Sequence, residues 1–146
     1  MPEQETLERA REDAREGKSP STQAGEFVRE EIHHVREGKH GAKSAKQVIA
    51  IGLSKARRAG VKLGVPKGKA STRKKAAQDT RAAKKRTAKK SATRSRATTN
   101  ALKREPRSAA SHQAVSRQAK AAATRRGKQN RKKAAMKAAQ TRKKAA

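Results

Sequence analysis

Ser44-Ala45-Lys46-Gln47-Val48-Ile49-Ala50-Ile51-Gly52-Leu53-Ser54-Lys55-Ala56-Arg57-Arg58-Ala59-Gly60 is the stretch that decides the fold class. Ala45, Val48, Ile49, Gly52, Leu53 and Ala56 recur every three or four residues, which lines them along one face of an α-helix. Ser44 and Gln47 have capping-box spacing, in which each side chain satisfies the other's free amide, and Gly60 supplies the stop. A helix over 44–59 is expected. Gly52 in its middle costs about 1 kcal/mol against alanine; it reads either as a close approach of a second helix or as a tolerated residue.

Upstream, Ser19-Pro20-Ser21-Thr22 offers capping hydroxyls and a proline suited to a first helical turn. Ala24, Phe27, Val28, Ile32 and Val35 follow at helical spacing and Gly38 closes the run, so a second helix is expected over 22–37. Glu26, Glu30, Glu31 and Glu37 are assigned to its outer face. Glu3 to Glu16 combines good helix formers with opposite charges one turn apart, such as Glu5 with Arg9, but only Leu7, Ala10 and Ala14 form an apolar stripe. A weaker helix is expected there, over 3–16, ended by Gly17. The expected fold is all-α: a small N-terminal domain of about three helices across residues 1–65. A core of that size supplies only about 3 to 5 kcal/mol, leaving oligomerisation or nucleic-acid binding to add to it.

Downstream, the run from Gly60 to Gly68 breaks the helix, and large aliphatic residues then almost cease; only Leu102, Val115 and Met136 remain. Residues 1–66 carry 13 basic and 10 acidic side chains, whereas residues 67–146 carry 28 basic and only Asp79 and Glu105 as acids. Thr72-Arg73-Lys74-Lys75-Ala76-Ala77 returns as Thr141-Arg142-Lys143-Lys144-Ala145-Ala146, at irregular spacing. The segment 66–146 is expected to be a low-complexity basic tail, disordered by charge repulsion or helical once phosphates neutralise it. Pro106 and Gly127 are expected to break any helix it forms.

The whole chain of 146 residues has a formal net charge of +29, one aromatic residue, Phe27, and no cysteine. So little large apolar surface excludes an enzyme-sized core, and missing thiols exclude disulfides and cysteine catalysis. No secretory leader is read at the acidic N-terminus, and Val48–Leu53 is too short to span a bilayer. The expectation is a cytoplasmic protein with a polyanionic partner, no cofactor and no enzymatic activity.

Lysine and arginine near phosphates release condensed cations, which gives salt-dependent binding without sequence reading. The candidate nucleic-acid-binding residues are Lys43, Lys46, Lys55, Arg57, Arg58 and Lys62 on or beside the third helix. Those of the tail are Arg73, Lys74, Lys75, Lys84, Lys85, Arg86, Lys89, Lys90, Arg94, Arg96, Arg125, Arg126, Arg131, Lys132, Lys133, Arg142, Lys143 and Lys144. Lys43 and Lys46 stand at the positive end of a helix dipole, a seat for phosphate. Without aromatic residues in the tail there is no stacking platform for single strands, so duplex DNA or structured RNA is favoured. A helix-turn-helix is disfavoured by the long connection from Gly38 to Lys43.

Two catalytic signals are discounted. Gly38-Lys39-His40-Gly41-Ala42-Lys43-Ser44 lacks the glycine spacing, the Gly-Lys pair and the preceding strand of a phosphate loop. His33, His34, Glu37 and His40 read as surface residues with no metal, since Gly38 separates His40 from the helix and no HExxH pattern is present.

The run Ser21-Thr22-Gln23-Ala24-Gly25-Glu26-Phe27-Val28-Arg29-Glu30-Glu31, then Glu37-Gly38-Lys39-His40-Gly41 and Gln47 to Gly60, resembles a domain of unknown function in small bacterial proteins. The tail is similar in composition to bacterial histone-like proteins and to linker-histone tails. The resemblance implies a DNA-binding protein of the bacterial cytoplasm or nucleoid, and it carries over no active-site residue. The leading expectation is a nucleoid-associated, histone-like protein that compacts or bridges duplex DNA, with homo-oligomerisation through the helical domain. The alternatives are an RNA- or ribosome-associated basic protein and a cationic protein- or membrane-interaction factor; the last lacks the apolar face of an interfacial helix.

Overall fold

A computed structural model describes residues 2–84 and 91–145, and every regular element in them is helical. The elements are α1 (Gln4–Arg15), α2 (Pro20–Arg36), α3 (Ala45–Arg58), α4 (Ala70–Lys84), α5 (Ala92–Lys103), a 3-10 turn (Arg107–Ala110) and α6 (His112–Ala145).

Local chemistry sets the limits of the first three. Ser19 Oγ accepts the Thr22 amide at 3.4 Å, with Pro20 in the first turn of α2. Ser44 Oγ accepts the Gln47 amide at 3.3 Å. The reciprocal half of that box is shifted by one residue, because Gln47 Oε1 accepts from Lys43 N at 2.8 Å instead of from Ser44 N. At Gly38 the chain turns with φ +81°, and the amides of Gly38 and Lys39 return to the carbonyls of Val35 and His34, the usual left-handed finish of a helix.

α2 packs against both α1 and α3. A Cβ on Gly52 would stand 2.7 Å from Val28 Cα, so this glycine permits a close approach of the α2 and α3 backbones. Around it are two apolar clusters. One gathers Ala10, Ala24, Phe27 and Ala56, with Leu7, Leu53, Val61 and Leu63 around them. The other gathers Val35, Ala42 and Val48 with Ala109 and Ala110, and Ile32 packs against it.

Ala109 and Ala110 overturn the expectation of a three-helix domain trailing a disordered or conditionally helical tail. Both are buried in the second cluster, at 6% and 0% exposure. Arg36 Nε donates to the Ala110 carbonyl at 2.8 Å, while the amides of Gly41 and Ala42 donate to Leu102 O and Pro106 O. Gly41 lies so close to this segment that a Cβ would collide with the Glu105 carbonyl. α4 docks on α3 through buried Ala76 and Asp79.

The described basic half is therefore helical, and part of it belongs to the core. Alanine, lysine, arginine and glutamine are strong helix formers, and a buried alanine needs only a close neighbour. Pro106 caps the 3-10 turn, and Gly127, at φ 74° and ψ 159°, interrupts α6. From Thr124 to Lys144 every α6 side chain is exposed. No helix among the described residues is long and apolar enough to cross a membrane.

Candidate nucleic-acid interface

Of the 13 lysines and arginines in the first 66 residues, six are paired with acids: Arg9, Lys18, Lys39, Lys43, Lys55 and Arg58. Lys55, a candidate phosphate ligand, turns inward: its Nζ lies 2.9 Å from Glu30 Oε1 and 2.6 Å from Glu31 Oε2. Burial works against that ammonium, yet the hydrogen bonds it donates to the two carboxylates, and their fields, raise its pKa above the usual lysine value. Arg58 is committed to Asp79, with Nε and Nη2 each 2.9 Å from Oδ1. Lys43 remains 76% exposed, with Glu105 Oε1 3.8 Å away. Lys46 and Lys62 are exposed and Arg57 is half-buried. Thus Lys46 on α3, with Lys43 and Lys62 beside it, is open to solvent, while Lys55 and Arg58 are held by carboxylates.

The acids that hold them include two misplaced by sequence reasoning. Glu30 and Glu31 are 5% and 1% exposed and do not lie on an outer face of α2. Glu31 stands four residues after Phe27 and four before Val35, within the apolar stripe itself, and that spacing was the available signal. Burial opposes the charge on Glu30, but bonds from Lys55, Thr6 and the Glu3 amide keep its pKa below the usual carboxylate value. Asp79 is held low in the same way: burial is outweighed by hydrogen bonds from Ser54 at 2.7 Å and from Arg58, and by the charges of Arg58 and Lys75. As the only acid between Glu37 and Glu105, it was the one legible mark of a contact in the basic half.

The basic half offers the contrast. Arg73, Lys74 and Lys75 lie exposed on α4, and Lys84 lies at its end. Arg94 and Arg96 are exposed on α5. Arg125 and Arg126 end the first segment of α6; Arg131, Lys132, Lys133, Arg142, Lys143 and Lys144 line the second. Lys85, Arg86, Lys89 and Lys90 lie outside the described residues. Among the described residues from 67 onward, Lys75 is the one lysine or arginine in an ion pair, 3.5 Å from Asp79.

The helix also gives the repeat a geometry that the sequence reading did not assign. Arg131-Lys132-Lys133 returns as Arg142-Lys143-Lys144 eleven residues later, close to three full turns. The two triplets therefore share a side of α6, about 16 Å apart at ~1.5 Å per residue.

The histidines divide into two pairs. His33 is exposed, as expected of a surface residue, and His112 is exposed as well. His34 and His40 are corrected: their side chains are 13% and 15% exposed. His34 Nε2 lies 2.9 Å from Glu3 Oε1, and His40 Nε2 lies 2.7 Å from Glu31 Oε1. Hydrogen bonds from His34 and Lys39 bring the Glu3 pKa down to about 2.

No protein-family model, curated protein or solved structure matches the chain.

Proposed function

We propose that the protein binds nucleic acid without reading its sequence, with duplex DNA as the preferred partner, and that it compacts or bridges DNA as a histone-like component of a bacterial nucleoid. The observation that carries this reading is the division of charge: acids hold Lys55 and Arg58 in the helical core, while cations across α4, α5 and α6 face solvent with one ion-paired residue among those described. Uncompensated cations on rigid helices gain most from a polyanion, because each one seated near a phosphate releases a condensed counterion. Their placement on several helices lets one chain hold more than one stretch of duplex. The chain's single aromatic, Phe27, is buried, so base stacking has no platform. Catalysis has no role in this reading.

The test is competition at matched salt, measured by fluorescence anisotropy with full-length protein, between two duplexes of unrelated sequence and a structured RNA. Equal affinity for the duplexes and weaker binding to the RNA support the proposal. Preference for the RNA moves the protein to the RNA-associated class, and a large difference between the duplexes refutes non-specific binding.

A further inference from the structure

Glu31 and His34 are three residues apart on α2, the Glu-x-x-His spacing that turns both side chains to one side of a helix. His40 joins them from the turn after α2, and one ligand atom from each of the three lies within 4.8 Å of the others. About 3.3 Å separates ligand atoms around a tetrahedral ion with bonds near 2.0 Å, so movements of roughly 1 Å would close the set.

The surroundings of the two imidazoles point to a ligand. His40 Nδ1 lies 3.0 Å from the Gly41 carbonyl, and its Nε2 faces Glu31. His34 Nε2 faces Glu3, and its Nδ1 stands 3.9 Å from Glu30 Oε1. Every one of these neighbours is an acceptor. A neutral imidazole carries one N–H, so each ring satisfies one neighbour and leaves a bare nitrogen facing another. A metal-bound histidine has this arrangement: one nitrogen ligates, and the other donates to a carboxylate or a backbone carbonyl. Glu3 behind His34 and the Gly41 carbonyl behind His40 are such outer partners. Glu31 Oε2 is taken by the Lys55 ammonium at 2.6 Å, which leaves Oε1, already facing His40, as the oxygen available to a ligand.

Charge agrees. Glu3, Glu30, Glu31 and Glu37 bring four negative charges against the ammonium groups of Lys39 and Lys55. With neutral imidazoles the sum is two negative charges. A divalent cation changes the charge as much as two imidazolium protons would, so it takes their place without adding to the burden on the site.

We propose that Glu31, His34 and His40 form a binding site for a divalent first-row transition metal, with Zn2+ the best match to two imidazoles and one carboxylate. The ion ties α2 to the 38–42 turn. That turn's amides at Gly41 and Ala42 hold Leu102 O and Pro106 O, so metal binding strengthens the junction between the helical core and the basic helices.

The test is a Zn2+ titration of metal-stripped full-length protein by calorimetry at pH 7.5, with thermal unfolding read in parallel and Co2+ as the spectroscopic probe. One tight equivalent is expected, together with a rise in Tm; free Zn2+ at 100 times Kd raises the folding constant about 100-fold. His34→Gln and His40→Gln should abolish that equivalent, and His33→Gln and His112→Gln should leave it in place. Should either buried-histidine variant lose helicity, Glu3→Gln serves in its stead, weakening the site about 10-fold or more through His34. Absence of a tight equivalent in the wild-type chain, or its survival in folded His34→Gln and His40→Gln proteins, would overturn the proposal.

Discussion

Asp79→Ala removes the one carboxylate that fixes α4 to α3. Asp79 is 2% exposed and accepts from Ser54 Oγ at 2.7 Å and from Arg58 Nε at 2.9 Å, with Arg58 Nη2 at 2.9 Å and Lys75 Nζ at 3.5 Å. A hydrogen bond to a charged group contributes about 1.5 to 3 kcal/mol. Arg58 and Lys75 are 49% and 57% exposed, and water regains them once the carboxylate has gone, so each contributes toward the low end. Ser54 loses its buried acceptor outright. The sum comes to about 2 to 3 kcal/mol, or roughly 5–10 °C in Tm for a chain of this size. Hydrogen exchange read peptide by peptide should show α4 losing protection before α2. An unchanged Tm together with unchanged α4 protection would refute the docking of α4 and the assignment of Asp79 as its anchor.

Other perturbations have equally definite outcomes. Gly52→Ala places a Cβ 2.7 Å from Val28 Cα; since backbone cannot step aside, stability should fall by about 2 kcal/mol or more in urea unfolding, despite alanine's better helix propensity. Glu3, Glu30 and Asp79 all have depressed pKa values. The stability they contribute is present above the unfolded carboxylate range near pH 4 and is lost as pH falls through their lower folded values; thermal melts should therefore drop steeply between pH 4.5 and about 2, and a flat profile there would count against these contacts. Gly41→Ala should loosen the 3-10 turn from the core, seen as faster tryptic cleavage at Arg107, since a Cβ collides with the Glu105 carbonyl.

The first three helices were legible because large aliphatics at helical spacing have one compact arrangement, and glycine and serine mark their ends. The basic half was not, and alanine is the reason. Ala109 and Ala110 complete a core cluster with side chains that elsewhere in the same segment merely favour helix, so neither composition nor spacing separates the two uses. Charge misled in a related way. Glu30 and Glu31 were placed outward for being acidic, although Glu31 occupies a stripe position and Lys55 stands ready across the α2–α3 contact to neutralise both. The same pairing removes Lys55 from the exposed cations of α3. Because residues 109 and 110 belong to the core, cutting the chain near residue 66 would damage the fold; substitutions on exposed helices are the cleaner instrument.

The central claim is that exposed cations of the basic helices bind duplex phosphates, and the salt dependence of affinity measures it most directly. Changing Arg131, Lys132, Lys133, Arg142, Lys143 and Lys144 together to glutamine alters only exposed side chains of α6. Full-length wild-type protein should show a steep negative slope of log K against log salt. The variant's slope should be shallower by about 0.9 for each phosphate it no longer neutralises, roughly 5 in all if the six residues all engage duplex. Equal slopes for the two proteins, or binding to duplex DNA that does not respond to salt, would contradict the account.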